Sequence, residues 1–352
     1  MIESQATLEQ FEAIQFIRNA QAEQLKEQRE EARRQRRARV RAWLAAEDMR
    51  SEQEYHSTVR QEFPGTGRWI IKKRLVNEWL DLETKCEPLL WLTGIPGAGT
   101  SGFLSSYHES DITSGKTTLA SVIIEEASKQ VDTKVVFFYC KNEVPQRNTF
   151  LSIARSFLYQ LSFNDDDLTE YLDAELANYG ESTLKTATLA KKLLDVSVRN
   201  KNNLFIVIDG LDECLKGEKQ SIISSFQTLI SADVQDTLEV NLIDPTPVDG
   251  KVRCLLVGRE DGDCFKLLKD VSTVKIKPTD NRDDIRIFCQ TWEDRIREKH
   301  IGLDIKAGSI TNNVTAHAGG KTIYSFDPTI FPFSFVTLES WLDETYLSPQ
   351  QS

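Results

Sequence analysis

The stretch GIPGAGTSGFLSSYHESDITSGKTTLA, Gly94 to Ala120, opens as a phosphate-binding loop opens and closes as one closes, with other residues between. Such a loop reads G-x-x-x-x-G-K-[ST], with a strand before it and a helix after it. Here the apolar run LLWLT (89–93) leads into Gly94, and KTTLASVII has the composition of a helix start. Without Thr100 to Gly115 the sequence becomes GIPGAGKTTLA, a complete loop at Gly94, Gly97, Gly99, Lys116 and Thr117, with Thr118 following. Each part has a physical reason. Glycines let backbone N–H groups curl around phosphates without Cβ clashes, and a helix N-terminus adds unsatisfied donors and a positive dipole end. Lysine neutralises phosphate charge, and the threonine hydroxyl holds Mg2+.

The inserted TSGFLSSYHESDITSG shows neither helical nor strand period. Closing a flexible loop of this length costs only ~2–3 kcal/mol, so the fold survives it. Phosphate binding is harder to keep, because nothing in the sequence fixes the distance between the Gly97–Gly99 amides and Lys116. A shorter cradle remains in SDITSGKT, with Gly115 beside Lys116 and Ser110 where the first glycine would stand. The expectation is weakened or absent nucleotide binding in the chain as written. Gly99-Thr100 can be encoded by GGT-ACN and Ser114-Gly115 by TCA-GGN, which contain a splice donor and an acceptor. The segment is therefore read as a retained intron, an expectation that extends to the tail at 321–352, where Gly320-Lys321 allows GGT-AAR.

Outward from the loop, apolar strands alternate with helical stretches. The strands are LLWLT, KVVFFYC (134–140), LFIVID (204–209), CLLVG (254–258) and a weaker VSTVKI (271–276). The helical stretches are KTTLASVIIEEASKQ, FLSIARSFLYQL, LAKKLLDVSVRN and QSIISSFQTLI. Strands without polar alternation suit a parallel sheet covered on both faces. The fold class expected is α/β, a doubly wound parallel sheet of the P-loop NTPase type, preceded by an N-terminal helical segment. Residues 1 to about 60 read as helical throughout, with no Gly or Pro before Pro64. Leu8, Phe11, Ile14 and Ile17 recur at threes, a loose packing stripe from which Phe16 departs. In EQLKEQREEARRQRRARVRAW the interleaved Glu27, Glu30 and Glu31 favour a solvated helix with i,i+4 ion pairs over a lipid- or nucleic-acid-binding one. The division expected is 1–60 helical and coiled-coil-like, 61–290 the nucleotide module with its insertion at 100–115, 291–320 the start of a following helical region, and 321–352 a disordered tail.

LFIVIDGLDEC puts Asp209 at the end of an apolar strand, with Asp212 and Glu213 just beyond. A strand-end Asp in this context holds Mg2+, and a nearby carboxylate orients the attacking water. Asp209 and Thr117 are the expected metal residues, Glu213 the catalytic one and Asp212 its support, on a strand expected to neighbour the loop strand. The blander reading of the same residues is a capped turn. Arg259, after CLLVG, reads as a surface residue of the REDGD loop rather than a phosphate sensor. The four histidines (56, 108, 300 and 317) are isolated and lack metal-ligand spacing.

Composition bounds the rest. At 352 residues, 40% hydrophobic and 28% charged, the chain is of the soluble globular type. A net charge of −11 argues against bulk nucleic-acid affinity, local basic patches aside, and no specific nucleic-acid partner is expected. The six cysteines form no C-x-x-C pair, and several lie in apolar runs, so buried free thiols are expected. MIESQATLEQF lacks the regions of a signal peptide, and no apolar run approaches the ~20 residues of a membrane span. A cytoplasmic location is expected.

PGTGRWII, VNEWLD, LLWLTGIPGAG, KTTLAS, VVFFYC, LFIVIDGLDE, VRCLLVGREDGD and NRDDIRIFCQTW together resemble the nephrocystin-3-like branch of NACHT-type NTPases, found in fungal signalling proteins of the NOD-like-receptor type. The resemblance covers roughly Arg60 to Gly320. It implies a signal-transducing ATPase of the STAND class, ADP-bound at rest and ATP-bound and oligomeric when active. It implies that Lys116 and Thr117 meet phosphate and Mg2+, that Asp209 meets the metal and Glu213 serves hydrolysis, and that Gly65-Thr66-Gly67 and Trp69 lie near the base. The serine-rich sensor strand of many relatives is replaced by LLVGRE. The winged-helix segment and C-terminal repeats that such proteins carry are expected to be missing, since KTIYSFDPTIFPFSF stands where an apolar helix would continue.

The leading expectation is an ATP/ADP-binding switch module with Mg2+, in native form a slow ATPase that self-associates or meets signalling partners. The alternative is a nucleotide-free scaffold acting through its N-terminal helices. A small-molecule or nucleic-acid kinase is less favoured, because neither an Arg-rich lid nor an acceptor site is visible.

Overall fold

The computed structural model describes residues 2–94, 115–199, 201, 203–239, 251–277, 279–299, 308 and 311–312. Gly97, Gly99, residues 100–114 and the tail 321–352 lie outside the described residues, as do His108, His300 and His317. In chain order the elements are α1 (Ile2–Leu44), α2 (Met49–Gln61), α3 (Arg74–Leu80), β1 (Leu89–Gly94), α4 (Gly115–Ala127), β2 (Lys134–Tyr139), α5 (Phe150–Ser162), α6 (Asp166–Tyr179), α7 (Ala187–Arg199), β3 (Asn203–Asp209), α8 (Lys216–Glu239), β4 (Lys251–Val257), α9 (Gly262–Leu268), β5 (Ser272–Ile276) and α10 (Arg282–Lys299).

The five strands form one parallel sheet in the order β2-β3-β4-β1-β5. All five expected strands are present, each within a few residues of its reading. From Leu204 onward every residue of β3 is buried, so both faces of the sheet are covered, as apolar runs without alternation require. This is a doubly wound α/β sheet. Because the pairing is parallel, the carboxyl ends of the strands share one edge, where Tyr139 pairs with Asp209 and Gly94 with Ile276. That edge is where open α/β sheets receive ligands. One expectation needs correcting. The acid-tipped β3 is not the neighbour of β1, because β4 lies between them. α4 bridges the gap by packing on β1, β2, β3 and β4.

The N-terminal region also departs from its reading. The helix breaks after Leu44, where Ala45 takes φ 44° and Asp48 caps α2 by accepting from the Arg50 amide at 3.1 Å. Asp is a strong N-cap, so the restart needs no glycine or proline. Val40, Trp43 and Leu44 at the end of α1 are buried in the main core. Further back, Ile17 and Phe16 are both exposed, so Ile17 does not pack as the stripe suggested. The arginines after Glu31 find their partners across space. Arg37 meets Asp166 at 2.8 Å, Arg36 meets Glu170 at 3.2 Å, and Arg39 meets Asp173 at 2.6 Å, all on α6.

α2 is tied to the sheet through polar contacts. Glu52, with a side chain only 14% exposed, faces Lys141 at 3.1 Å and is also bonded by Arg147. Burial works against its charge. Arg147 and Lys141 outweigh that and hold the carboxyl down to about 2, with His56 3.9 Å away and beyond hydrogen-bond reach. His56 is buried against the Tyr139 ring. On the α4 side, Arg60 pairs with Glu125 at 2.9 Å and donates to the Ser121 hydroxyl. Cys140, Cys214, Cys254, Cys264 and Cys289 are buried free thiols, and Cys86 is half-buried.

Candidate functional site

At the carboxyl edge, β1 ends at Gly94 and the chain returns at Gly115, the first residue of α4. Lys116 therefore sits in the first turn of that helix, with a side chain 4% exposed. Burial lowers its pKa, opposed by the negative charges of Asp212, Asp209 and Glu213, while Arg259 adds to the lowering. Thr117 follows, close enough to Asp209 that its hydroxyl helps to hold that carboxyl's pKa down. The expected phosphate lysine, metal threonine and strand-end aspartate are thus brought together, although β4 separates their strands. Thr118 is buried and faces Gly67.

Asp209 is 5% exposed. Burial pushes it up to about 7, with Glu213 and Asp212 adding like-charge repulsion, against the Thr117 hydroxyl and the Lys116 charge. After it the chain turns sharply at Gly210, which has φ +75°. A Cβ there would stand 2.8 Å from the Cys140 carbonyl oxygen, so the turn demands glycine on two counts. A short 3-10 turn, Leu211–Glu213, then presents the two remaining acids. Asp212 reaches β4's end, accepting from the Arg259 amide at 2.8 Å and facing its Nε at 3.4 Å. Arg259 is exposed, the surface residue that the sequence suggested, and it adjoins the site through Asp212. Glu213 accepts from the Asn142 amide at 3.4 Å, and burial, with Asp212 next, raises its pKa.

Mg2+ keeps several waters and takes only one or two protein ligands. Asp209 and Thr117 lie near enough to influence one another and offer one carboxylate and one hydroxyl. An ion there would supply positive charge to a carboxylate that burial drives toward neutrality. Among the described residues no group of three or more His, Cys, Asp or Glu could hold a metal ion. The Thr93 hydroxyl, next to Gly94, is buried with no partner among the described residues. A cleft of about 580 Å3 opens alongside, lined by Gly94, Arg259, Asp261, Phe265 and Lys275. Lys116 and Asp209 do not line it.

The sheet order, a strand ending in glycine, a helix starting Gly-Lys-Thr and an acid at the end of β3 define a domain of the P-loop NTPase type. Residues 65–110 and 108–242 match the family described as Nephrocystin 3, N-terminal, together about half of the chain. The chain belongs to that family. The join between the two matched parts falls inside the segment that separates Gly99 from Lys116. Among solved structures, it is similar to the Aeropyrum pernix ORC2 protein in ADPNP-ADP complexes, at 12% identity over 86% of this chain and 81% of that one, with a TM-score of 0.33. A likeness that loose says nothing about activity. No curated protein matches the chain. Among the described residues no helix is long and apolar enough to cross a membrane.

Proposed function

We propose that the chain is a nucleotide-binding switch module that takes ATP or ADP with Mg2+, in native form a slow ATPase of an intracellular, cytoplasmic signalling protein of the NACHT type. The observation that carries this reading is the meeting of Lys116, Thr117 and Asp209 at the N-terminus of α4. A helix N-terminus, a buried cation and an acid in need of a counter-charge are what a magnesium–phosphate group satisfies together. In this reading Lys116 neutralises phosphate, Thr117 and Asp209 hold the ion, and Glu213 orients the attacking water. Asp212 steadies the β4 end through Arg259. Gly94 and Gly115 flank the phosphates, with Gly97 and Gly99 completing the cradle. Within the helical segment 1–60, the exposed part of α1 is the arm through which the module self-associates or meets partners.

The test is calorimetric titration of ADP and ATP, with and without Mg2+, into the full chain and Lys116→Ala. Magnesium-dependent binding lost in the variant is expected. A nucleotide-free scaffold is favoured by one feature, the exposed Phe16, Ile17 and Leu25 along α1. It predicts that no nucleotide binds either protein.

A further inference from the structure

Glu52 of α2 is a largely buried carboxylate that the proposed chemistry leaves unused. Its two oxygens go to different cations. Oε1 lies 3.1 Å from the Lys141 ammonium, and Oε2 accepts from the Arg147 guanidinium. Those two residues are the ends of one turn, closed by the Lys141 amide donating to the Arg147 carbonyl at 3.1 Å. Inside it the Val144 amide donates to the Lys141 carbonyl at 3.2 Å, and the Arg147 amide to the Val144 carbonyl at 2.8 Å. A single side chain of α2 thus bridges both ends of the turn that follows β2. A buried ion pair is a weak source of stability, so its geometry is the part that needs a reason.

The same turn meets the acids that follow β3 at two points. The Asn142 amide donates to Glu213 Oε2 at 3.4 Å, and the Leu215 amide donates to the Asn148 carbonyl at 3.1 Å. Asn148 is buried and joins the two contacts, its Nδ2 donating to the Asn142 carbonyl at 3.1 Å. Burial and the adjacent Asp212 push the Glu213 carboxyl toward its neutral form. The Asn142 amide opposes them, followed by Arg259 at the end of β4 and Lys141 in the turn. A carboxylate that orients water must be both ionised and aimed, and a backbone amide donating to it serves both needs.

We propose that Glu52 is a positioning residue for hydrolysis, closing the Lys141–Arg147 turn so that the Asn142 amide stays on the Glu213 carboxylate. This rests on the nucleotide reading above, with Glu213 orienting the attacking water. It makes a distinction that a general loss of stability would not make. The phosphates are held from α4, by Lys116 and Thr117, so the role of Glu52 shows in turnover and not in nucleotide affinity.

The experiment measures ATP turnover and Mg-ADP affinity for the full chain, Glu52→Gln, Glu52→Asp and Arg60→Met, at a temperature where circular dichroism shows all four folded. Hydrogen exchange of the Asn142 amide is followed without nucleotide, by NMR on protein carrying isotope-labelled asparagine. Glu52→Gln is expected to lose about tenfold in turnover, the scale of one hydrogen bond to a charged group, with ADP affinity unchanged. Its Asn142 amide is expected to exchange several times faster. Glu52→Asp keeps the charge and is expected to recover part of both. Arg60→Met cuts the contact of α2 with Ser121 and Glu125 on α4 and leaves the turn alone, so turnover and Asn142 exchange should not change. Unchanged turnover in Glu52→Gln, an equal loss in Arg60→Met, or slower turnover without faster Asn142 exchange would overturn the inference and leave the nucleotide reading standing. A full chain that binds Mg-ADP without hydrolysing ATP would overturn the inference and the ATPase part of that reading. A full chain that binds no nucleotide would overturn both.

Discussion

Asp209→Asn separates the stability of this fold from its proposed chemistry, because the two should move in opposite directions. Asp209 is 5% exposed, and burial lifts it from 3.8 to about 7. The sign follows from linkage. A folded-state pKa above the unfolded one means that the folded protein holds a proton which the unfolded chain has released. The resulting stabilisation is complete below pH 3.8 and is lost as pH rises through about 7. Between pH 5 and pH 7 the loss is about 2 kcal/mol, approaching 3 by pH 8, at roughly 1.4 kcal/mol per unit well below the folded value. Asparagine is isosteric and does not titrate. Relative to the wild type, Asp209→Asn should therefore gain about 3 kcal/mol between pH 5 and pH 8, or very roughly 5–10 °C in the unfolding midpoint. The same variant should lose the stabilisation that Mg-ADP gives the wild type, since an amide is a poor partner for magnesium. Thermal unfolding of both proteins across pH 5–8, with and without Mg-ADP, reads both effects. Parallel pH curves for the two proteins would refute the reasoning, because they would mean that Asp209 ionises freely and has no need of a cation.

Glu52→Gln should behave in the opposite sense. Its carboxyl is held down to about 2, so its contribution is present above pH 4.5 and fades as pH falls toward 2. Removing the charge takes from Arg147, whose side chain is 11% exposed, its carboxylate partner, and urea unfolding should show a loss of about 2–4 kcal/mol at pH 7 that narrows at pH 3.5. Gly210→Ala forces a Cβ to 2.8 Å from the Cys140 carbonyl oxygen at φ +75°. It should destabilise by about 2 kcal/mol or more and weaken magnesium-dependent binding with it, since Asp212 and Glu213 ride on that turn. A chain lacking Thr100–Gly115 should bind Mg-ADP more tightly than the full chain by calorimetry. Equal, tight binding by both would mean that the insertion leaves the cradle intact.

The strands were legible because burial on both faces leaves no room for polar alternation. β3 reads NLFIVID, and every residue after Asn203 is buried. The order of the strands was not legible. That β4 stands between β1 and β3 depends on where each crossover lands, and nothing local to LFIVID or CLLVG encodes it. α6 was overlooked although its signals are present. Asp165 caps it by accepting from the Leu168 amide at 2.8 Å, its first turn is acidic, and Gly180 ends it at φ 64°. The partners of Arg36, Arg37 and Arg39 lie about 130 positions away on that same helix. A periodicity count over the basic run could offer them only their own i,i+4 neighbours.

The candidate site was legible to the extent that its residues work against folding. Lys116 and Asp209 are an acid and a base that burial drives toward neutrality from opposite sides. A chain selected for stability alone would place leucine or alanine in such positions, which is why a charged residue at a buried helix start or strand end stands out in sequence. Asp284 escaped notice because it sits among ordinary polar neighbours in NRDDIR, where an aspartate in the first turn of a helix is what capping and the helix dipole already favour. Its distinction is positional, and appears only when Gly67 and Trp69 are brought to it across the fold. Ionisable residues at odds with their surroundings can be picked out from a string of letters. Those at odds with a distant segment cannot, and Asp284, joined to Gly67 and Trp69 across the fold, is of the second kind.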